Sequence, residues 1–451
     1  MKKRTVKILT GIGITVVVLG VIYAIGVGIS SAKLRRAYAE LEKDGRPMKP
    51  ADIIPLKVPD AENAAPLYES AILLLKAQPA PKGNLLDYLK GSYDKFIAGS
   101  LETDKLAEIK QLIERDVVTQ ALSIIEQGTK RRSCRFEHDY KAGFNMLLPN
   151  LAGLRDVVRL LGARSCLEAE AGRPDAAWNY ALIQLKFADA LRKEPIIISF
   201  LVRLAAIRTS CETIQRICET APSNAEQYKT VESLLSNYEG IEPLVLALDG
   251  ERLLGGEWAF NLLRNGSARD LTASINNDWG LGEVLLSLYS TFFKPFLIAD
   301  HAAYVRIMGY YTRLAQQPYS LDERNTIDEK VRQMHSRLNW VTSMLVPASG
   351  RIKEIYWETI ARMRVTRAGL ALLQEKKAQG AYPQTLEGVN IKNVDDPFSK
   401  EPLRYKPQGQ GFLIYSVGPD EKDNGGNPKQ KKQKTDWDIV WSYPGEHQDA
   451  T

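Results

Sequence analysis

The feature that most constrains this chain is a run with no charged side chain, Ile8 to Ala32, behind the basic tip MKKRTVK. As a helix, Ile8 to Ile29 alone would be about 33 Å long, enough to cross a hydrocarbon core of about 30 Å. A cleavable signal peptide has a shorter apolar core, about 7–15 residues. Ser30-Ser31-Ala32 resembles a cleavage site, so a removed leader is the competing reading, but the length favours a retained anchor. Lys2, Lys3, Arg4 and Lys7 favour a cytoplasmic N-terminus and an exported bulk, while Lys33, Arg35 and Arg36 pull the other way. Gly20, Ala24 and Gly28 recur at every fourth position, a small-residue stripe through which two such helices could self-associate.

The remainder is long enough to fold as two or three domains. At 25% charged and 44% hydrophobic residues it has an ordinary globular composition. A net charge of +6 is mild, and the one tight basic cluster, Lys429, Lys431, Lys432 and Lys434, reads as a solvated loop. No nucleic-acid partner is expected. The cysteines, Cys134, Cys166, Cys211 and Cys218, lack metal-ligand spacing. Cys211 and Cys218 would lie about 10 Å apart along one helix face, too far for a disulfide. Buried free thiols are expected, with a Cys134–Cys166 bridge as the alternative that an exported location would permit.

Four regions follow. Residues 1–32 form the cytoplasmic tip and transmembrane anchor. Residues 33–66 carry a helical extension to about Glu42 and then a Pro-rich segment, with Pro47, Pro50, Pro55, Pro59 and Pro66, read as an extended linker or a wrapping strap. Residues 67–346 read as an irregular α-helical domain. Within it, LETDKLAEIKQLIERDVVTQALSIIEQG predicts one sustained helix ending at Gly128 as a C-cap, and Gly172-Arg173-Pro174 breaks two helices. That second break is similar to a tetratricopeptide hairpin at Gly172 and Ala177, but its second helix is too long and no 34-residue repeat exists. Trp258, Trp279, Phe292, Phe293 and Phe296 read as core or inter-helix packing. Residues 347–451, after the boundary at Pro347–Gly350, form a small α+β unit. A helix from about Arg351 to Ala378 shows one apolar face, Ile352, Tyr356, Ile360, Met363, Leu370 and Leu373. Two alternating strands follow, around Phe412–Val417 and Trp437–Ser442, with a short strand near Leu403–Lys406 pairing with the first. The fold class is mainly α, with a long helix on a three-stranded antiparallel sheet at the C-terminus.

Catalytic constellations do not stand out. His138, His301, His335 and His447 sit in no metal motif. His138 and His301 each adjoin an Asp, but neighbours on a helix point apart, so neither pair is a dyad by itself. Ser30/Lys33 and Ser92/Lys95 match SxxK at a frequency chance would supply. Glu251 and Glu257 in GERLLGGEW could form an acid/base pair, though nothing local fixes their relative position. No catalytic or cofactor-binding residue is assigned.

The C-terminal segments ALLQEKKAQGAYP, DPFSKEPLRYKPQG, GFLIYSVGPDEKDNGG and DWDIVWS, in that order, resemble the globular part of the major pseudopilin of type II secretion systems. The likeness covers about Lys353 to Tyr443. It implies the pseudopilin-like fold and a calcium site in the loop between the strands. Carried over residue by residue, its ligands would be the Val417 carbonyl and Asp420, closed by Asp436 or Asp438, with Asp423 as an extra ligand. Glu421 stands where the family has Gly, and KQKKQK inserts lysines into the loop. The family's prepilin cleavage site and its Glu within the apolar helix are missing from Ile8–Ile29, which argues against a fibre subunit. The whole layout, with VPDAENAAPLY after the anchor, also resembles membrane-anchored bacterial proteins carrying this module.

The expected function is therefore a non-enzymatic, inner-membrane-anchored interaction or assembly protein with its bulk extracytoplasmic, an unknown protein partner and calcium as a candidate cofactor. The alternatives are an envelope enzyme with a site in the helical domain and an atypical pseudopilin. A polar pocket joining His301 to Glu251 or Glu257 would favour the enzyme, and a continuous convex helical surface the interaction protein.

Overall fold

The computed structural model describes residues 2–265, 280–334, 339–346, 349–389, 391, 394–430, 433 and 436–444. Trp279, His335, His447, Pro347, Lys431, Lys432 and Lys434 lie outside the described residues. The described chain is mainly helical, with one small sheet near its C-terminus.

A single helix, Lys2–Lys43, carries the apolar run and continues without interruption into the body. It is long and apolar enough to cross a membrane. From Ile8 to Ile25 its large apolar residues are 40–65% exposed on every side, as expected of a segment whose solvent is not water. Gly20, Ala24 and Gly28 are on this bare stretch, and a Cβ at Gly20 or Gly28 would meet nothing within 4 Å. Beyond Ser30 the same helix has a buried face. Leu34, Ala37 and Leu41 pack on Ile298, Ala302 and Val305 of the helix Lys294–Ala315. Gly26 meets Pro295 and Leu41 meets Gly309, so these two helices run side by side in the same direction.

The Pro-rich segment is a strap, not a loose linker. Arg46 pairs with the buried Asp249, and Arg252 donates to the Pro47 carbonyl. Ile53 is buried, and Arg135 donates to the Pro55 carbonyl at 2.9 Å. Asn63 then bridges to Ser133. The prolines prevent a helix, and side chains from the body satisfy the backbone groups left without helical partners.

The body is built on the antiparallel hairpin Asn150–Glu170 and Pro174–Ala188, which packs with Ile197–Ile217. Gly172 closes the hairpin at φ +70°, where a side chain would be strained. The expected helix through Gly128 is two, Thr103–Ile113 and Asp116–Thr129. Gly128 lies inside the second and is not its cap. A Cβ there would sit 2.3 Å from the Tyr68 ring, so close packing explains this glycine. All four cysteines are free thiols, so the alternative Cys134–Cys166 bridge is absent. Burial pushes the Cys166 and Cys211 thiols up to about 12, which keeps them protonated and unreactive.

The long helix Ser349–Gln379 is buried on nearly all sides through its middle, where one apolar face was expected. One side meets the sheet: a Cβ at Gly369 would lie 2.2 Å from the Trp441 ring. The other meets the helical body, where Arg367, 1% exposed, pairs with Glu232 and Glu239 at 2.6 Å each. Strands β1 (Arg404–Gln408), β2 (Gly411–Ser416) and β3 (Ile439–Tyr443) form an antiparallel sheet in that order, with Ile414 between Tyr405 and Trp441. One buried cluster runs from the helical body through the long helix to Phe412, Ile414 and Trp441.

The aromatic residues divide. Trp258 is half-buried against Phe144, as packing requires. Phe292, Phe293 and Phe296, expected in core or inter-helix packing, are 64%, 51% and 45% exposed near the apolar helix.

Candidate functional site

Between the helices Glu242–Gly250 and Glu257–Arg264 the chain makes one π-helical turn, Glu251–Gly256. A π turn inserts extra backbone into a helix and recurs at functional sites. Its glycines allow a tight seat, since a Cβ at Gly256 would fall 2.1 Å from the Tyr304 ring. The turn separates the two glutamates. Glu251 faces an apolar cavity of about 240 Å³ between Phe144, Ile196 and Leu254. Glu257 faces a second cavity of about 720 Å³ with Tyr38, Met48, Tyr140, Lys141 and Trp258. They are not an acid/base pair.

Glu257 instead joins His301 and Tyr38. The His301 Nε2 lies 2.9 Å from the Glu257 Oε2. The Tyr38 hydroxyl, from the extension of the anchor helix, donates to the same carboxylate at 2.7 and 2.8 Å. The imidazole is fully buried and stacked on Phe260 at 4.3 Å. Burial pushes the Glu257 carboxyl up, but the hydrogen bond and charge of His301, with the Tyr38 hydroxyl, outweigh it and hold the group below its usual range. Burial alone raises Glu251 to about 7. Burial, followed by the Glu257 charge, raises the Tyr38 hydroxyl, which therefore stays a donor.

His138 forms a similar buried pair, 2.9 Å from Glu194. In both places the adjacent aspartate does something else. Asp139 accepts the Lys141 amide, and Asp300 accepts the Val341 and Thr342 amides at the start of Trp340–Leu345. Tyr38 and Glu194 escaped the sequence reading because each meets its histidine from far along the chain, with no local pattern to mark it.

The residues of the expected calcium loop are placed as follows. Asp438 accepts the Asn424, Gly426 and Asn427 amides at 3.3, 2.7 and 3.1 Å. Asp420 accepts the Lys422 and Asp436 amides, and the Asn424 side chain spans Asp420 and Asp438. Asp423 turns away, accepting from the Tyr415 hydroxyl at 2.9 Å with Arg404 beside it. Asp436 has a positive φ of 63°, and its carbonyl accepts from Asn427 and Gln433. The Val417 amide donates to Asp396 at 2.8 Å. Asp396, which the sequence did not single out, is 1% exposed and also accepts from Ser416 and Phe398.

These carboxylates hold the loop by accepting N–H groups. Calcium needs six to eight oxygens converging at about 2.3–2.6 Å. Asp420 and Asp438 are brought together by the Asn424 side chain, and the Asp436 amide lies against Asp420. Among the described residues no group of three or more His, Cys, Asp or Glu is arranged to hold a metal ion.

No family model, curated protein or solved structure matches this chain.

Proposed function

We propose that the chain is a single-span protein of the bacterial inner membrane, cytoplasmic at its N-terminus, that holds a rigid extracytoplasmic body as a non-enzymatic interaction or assembly platform. The observation that carries this reading is the unbroken helix from the apolar span into the body, clamped there by Tyr38, Glu257 and His301. The clamp holds the body at one height above the bilayer, which suits a platform that presents one face. Leu147 and Ile198, 82% and 59% exposed beside the apolar cavity at Phe144, offer a docking face of the kind protein partners cover. The resemblance of the C-terminal unit to the major pseudopilin supports a role in an envelope assembly, and an apolar helix without a Glu argues against a fibre subunit.

The test is extraction and capture. The full chain is expected to resist high-salt and carbonate washing, and a photo-crosslinker at Leu147 is expected to trap one defined protein band in native membranes. Recovery of a soluble mature chain beginning at Lys33 would overturn the anchor. Absence of any adduct from Leu147 and Ile198 would remove the docking face.

A second reading is favoured by one observation, the cavity of about 720 Å³ that Glu257 and Tyr38 share. In an envelope enzyme Glu257 would be the base, oriented by His301. Turnover of any envelope substrate class that Glu257→Gln abolishes without loss of fold would establish it.

A further inference from the structure

The helix Lys294–Ala315 begins beside Gly26, where a Cβ would stand 3.3 Å from Pro295. Gly26 lies within the apolar run, seven residues before Lys33, the first charge after it. At 1.5 Å per residue, Pro295 is about 10 Å to the apolar side of that charge. The chain around it is built for such a place. Leu288 and Phe292 lie one helical turn apart and are both exposed, and Phe293 and Phe296, edge to face at 6.1 Å, flank Pro295 and are each about half exposed. Trp340 stacks on Tyr289 at 5.4 Å, close to Asp300 and so one to two turns nearer the body, and is 46% exposed. Lys294 is the one charge in this stretch, and its long stem lets the ammonium reach the headgroups.

We infer that Leu288, Phe292, Phe293 and Phe296 form a second membrane contact that dips into the outer leaflet beside the anchor, with Trp340 at the headgroup level. The occupant is the lipid bilayer, because the patch is continuous with the bare apolar surface of the anchor and lies at the depth of its last turns. Phenylalanines in water at this density would be an aggregation liability. In acyl chains they are solvated, and a tryptophan one step higher matches the interfacial preference of that ring.

This inference rests on the anchor reading, and the experiment separates the two. The full chain, with the half-buried Cys134 replaced by serine, receives a single cysteine at Phe293, at Val18 in the anchor or at Gln408 on the sheet. Each is labelled with an environment-sensitive fluorophore and reconstituted in phosphatidylethanolamine–phosphatidylglycerol vesicles with brominated acyl chains. Phe293→Cys is expected to be quenched and blue-shifted like Val18→Cys, with Gln408→Cys unaffected. Phe296→Cys gives the same readout should the first variant fold poorly. Quenching at Val18 with water-like emission at both Phe293 and Phe296 overturns the second contact and leaves the anchor standing. No quenching at Val18 overturns both. Efficient disulfide formation between two Phe293→Cys chains in the vesicle would assign the patch to a second copy of this chain and overturn the lipid assignment.

Discussion

Glu251 and Glu257 are six residues apart, yet they titrate in opposite senses because one π turn sends them to different surroundings. Glu251 has no cation beside it, and its folded value of about 7 lies above an unfolded value near 4.5. Its neutral form therefore favours folding below the unfolded value, and that contribution is lost as pH rises towards 7. Glu251→Gln is expected to raise the melting temperature of the full chain at pH 8, by on the order of 2 kcal/mol in stability, and to change little at pH 4. A series of thermal melts from pH 4 to 8 checks it, and an unchanged difference between the two chains across that range would contradict it. Glu257 has the opposite sign, since its contribution is present above the unfolded value and lost as pH falls through the depressed one. The sequence offered His301, Glu251 and Glu257 as candidates but could not pair them. The pairing depends on the π turn and on Tyr38, brought in from 219 residues away.

Among the elements, the two alternating runs read directly as strands because each side chain in a strand reports its face. The loop between them was legible as a turn rich in Asp, Asn and Gly, but its role was not. It folds back over the sheet: a Cβ at Gly426 would lie 2.7 Å from Leu413 and 3.3 Å from Tyr415, and Gly426 itself has a φ of +86°. That explains why Tyr415 is 1% exposed although the long helix covers the opposite face. Asp438 is the residue that holds this cover. Asp438→Asn is expected to cost about 2 kcal/mol by weakening charge-assisted bonds to three amides, with a smaller loss for the more exposed Asp423→Asn. Millimolar calcium and chelator are expected to give the same melting temperature. A rise in calcium that Asp420→Ala abolishes would restore the metal site.

The whole molecule is organised around the long helix, and this was the least legible level. Counted along its sequence, Ile352 to Leu373 give one apolar face, but that same side also buries Thr359, Thr366 and Arg367, polar types that read as solvent-facing, and the opposite side is buried through Ala361, Val365, Ala368 and Leu372. Arg367 meets Glu232 and Glu239, Tyr356 donates to the Glu239 carbonyl at 2.7 Å, and Gln215 reaches Thr366 at 2.8 Å. A fragment from Ser349 onward would expose all of these. It is expected to show no cooperative melting on its own, and Arg367→Ala in the full chain is expected to cost about 3 kcal/mol by taking the arginine from Glu232 and leaving Glu239 with Arg364 alone. Circular dichroism of the fragment decides the first point, since a sharp mixed α and β transition would make the unit autonomous.

The unbroken anchor helix also makes the protein a lever. In the proposed membrane span, its length of about 33 Å exceeds a hydrocarbon core of about 30 Å, and a lean is one accommodation. With no hinge between Ile8 and Lys43, and a strap fastening the next twenty residues, the body must lean by the same angle. A change in bilayer thickness at one end is then a change in the bearing of the far surface at the other.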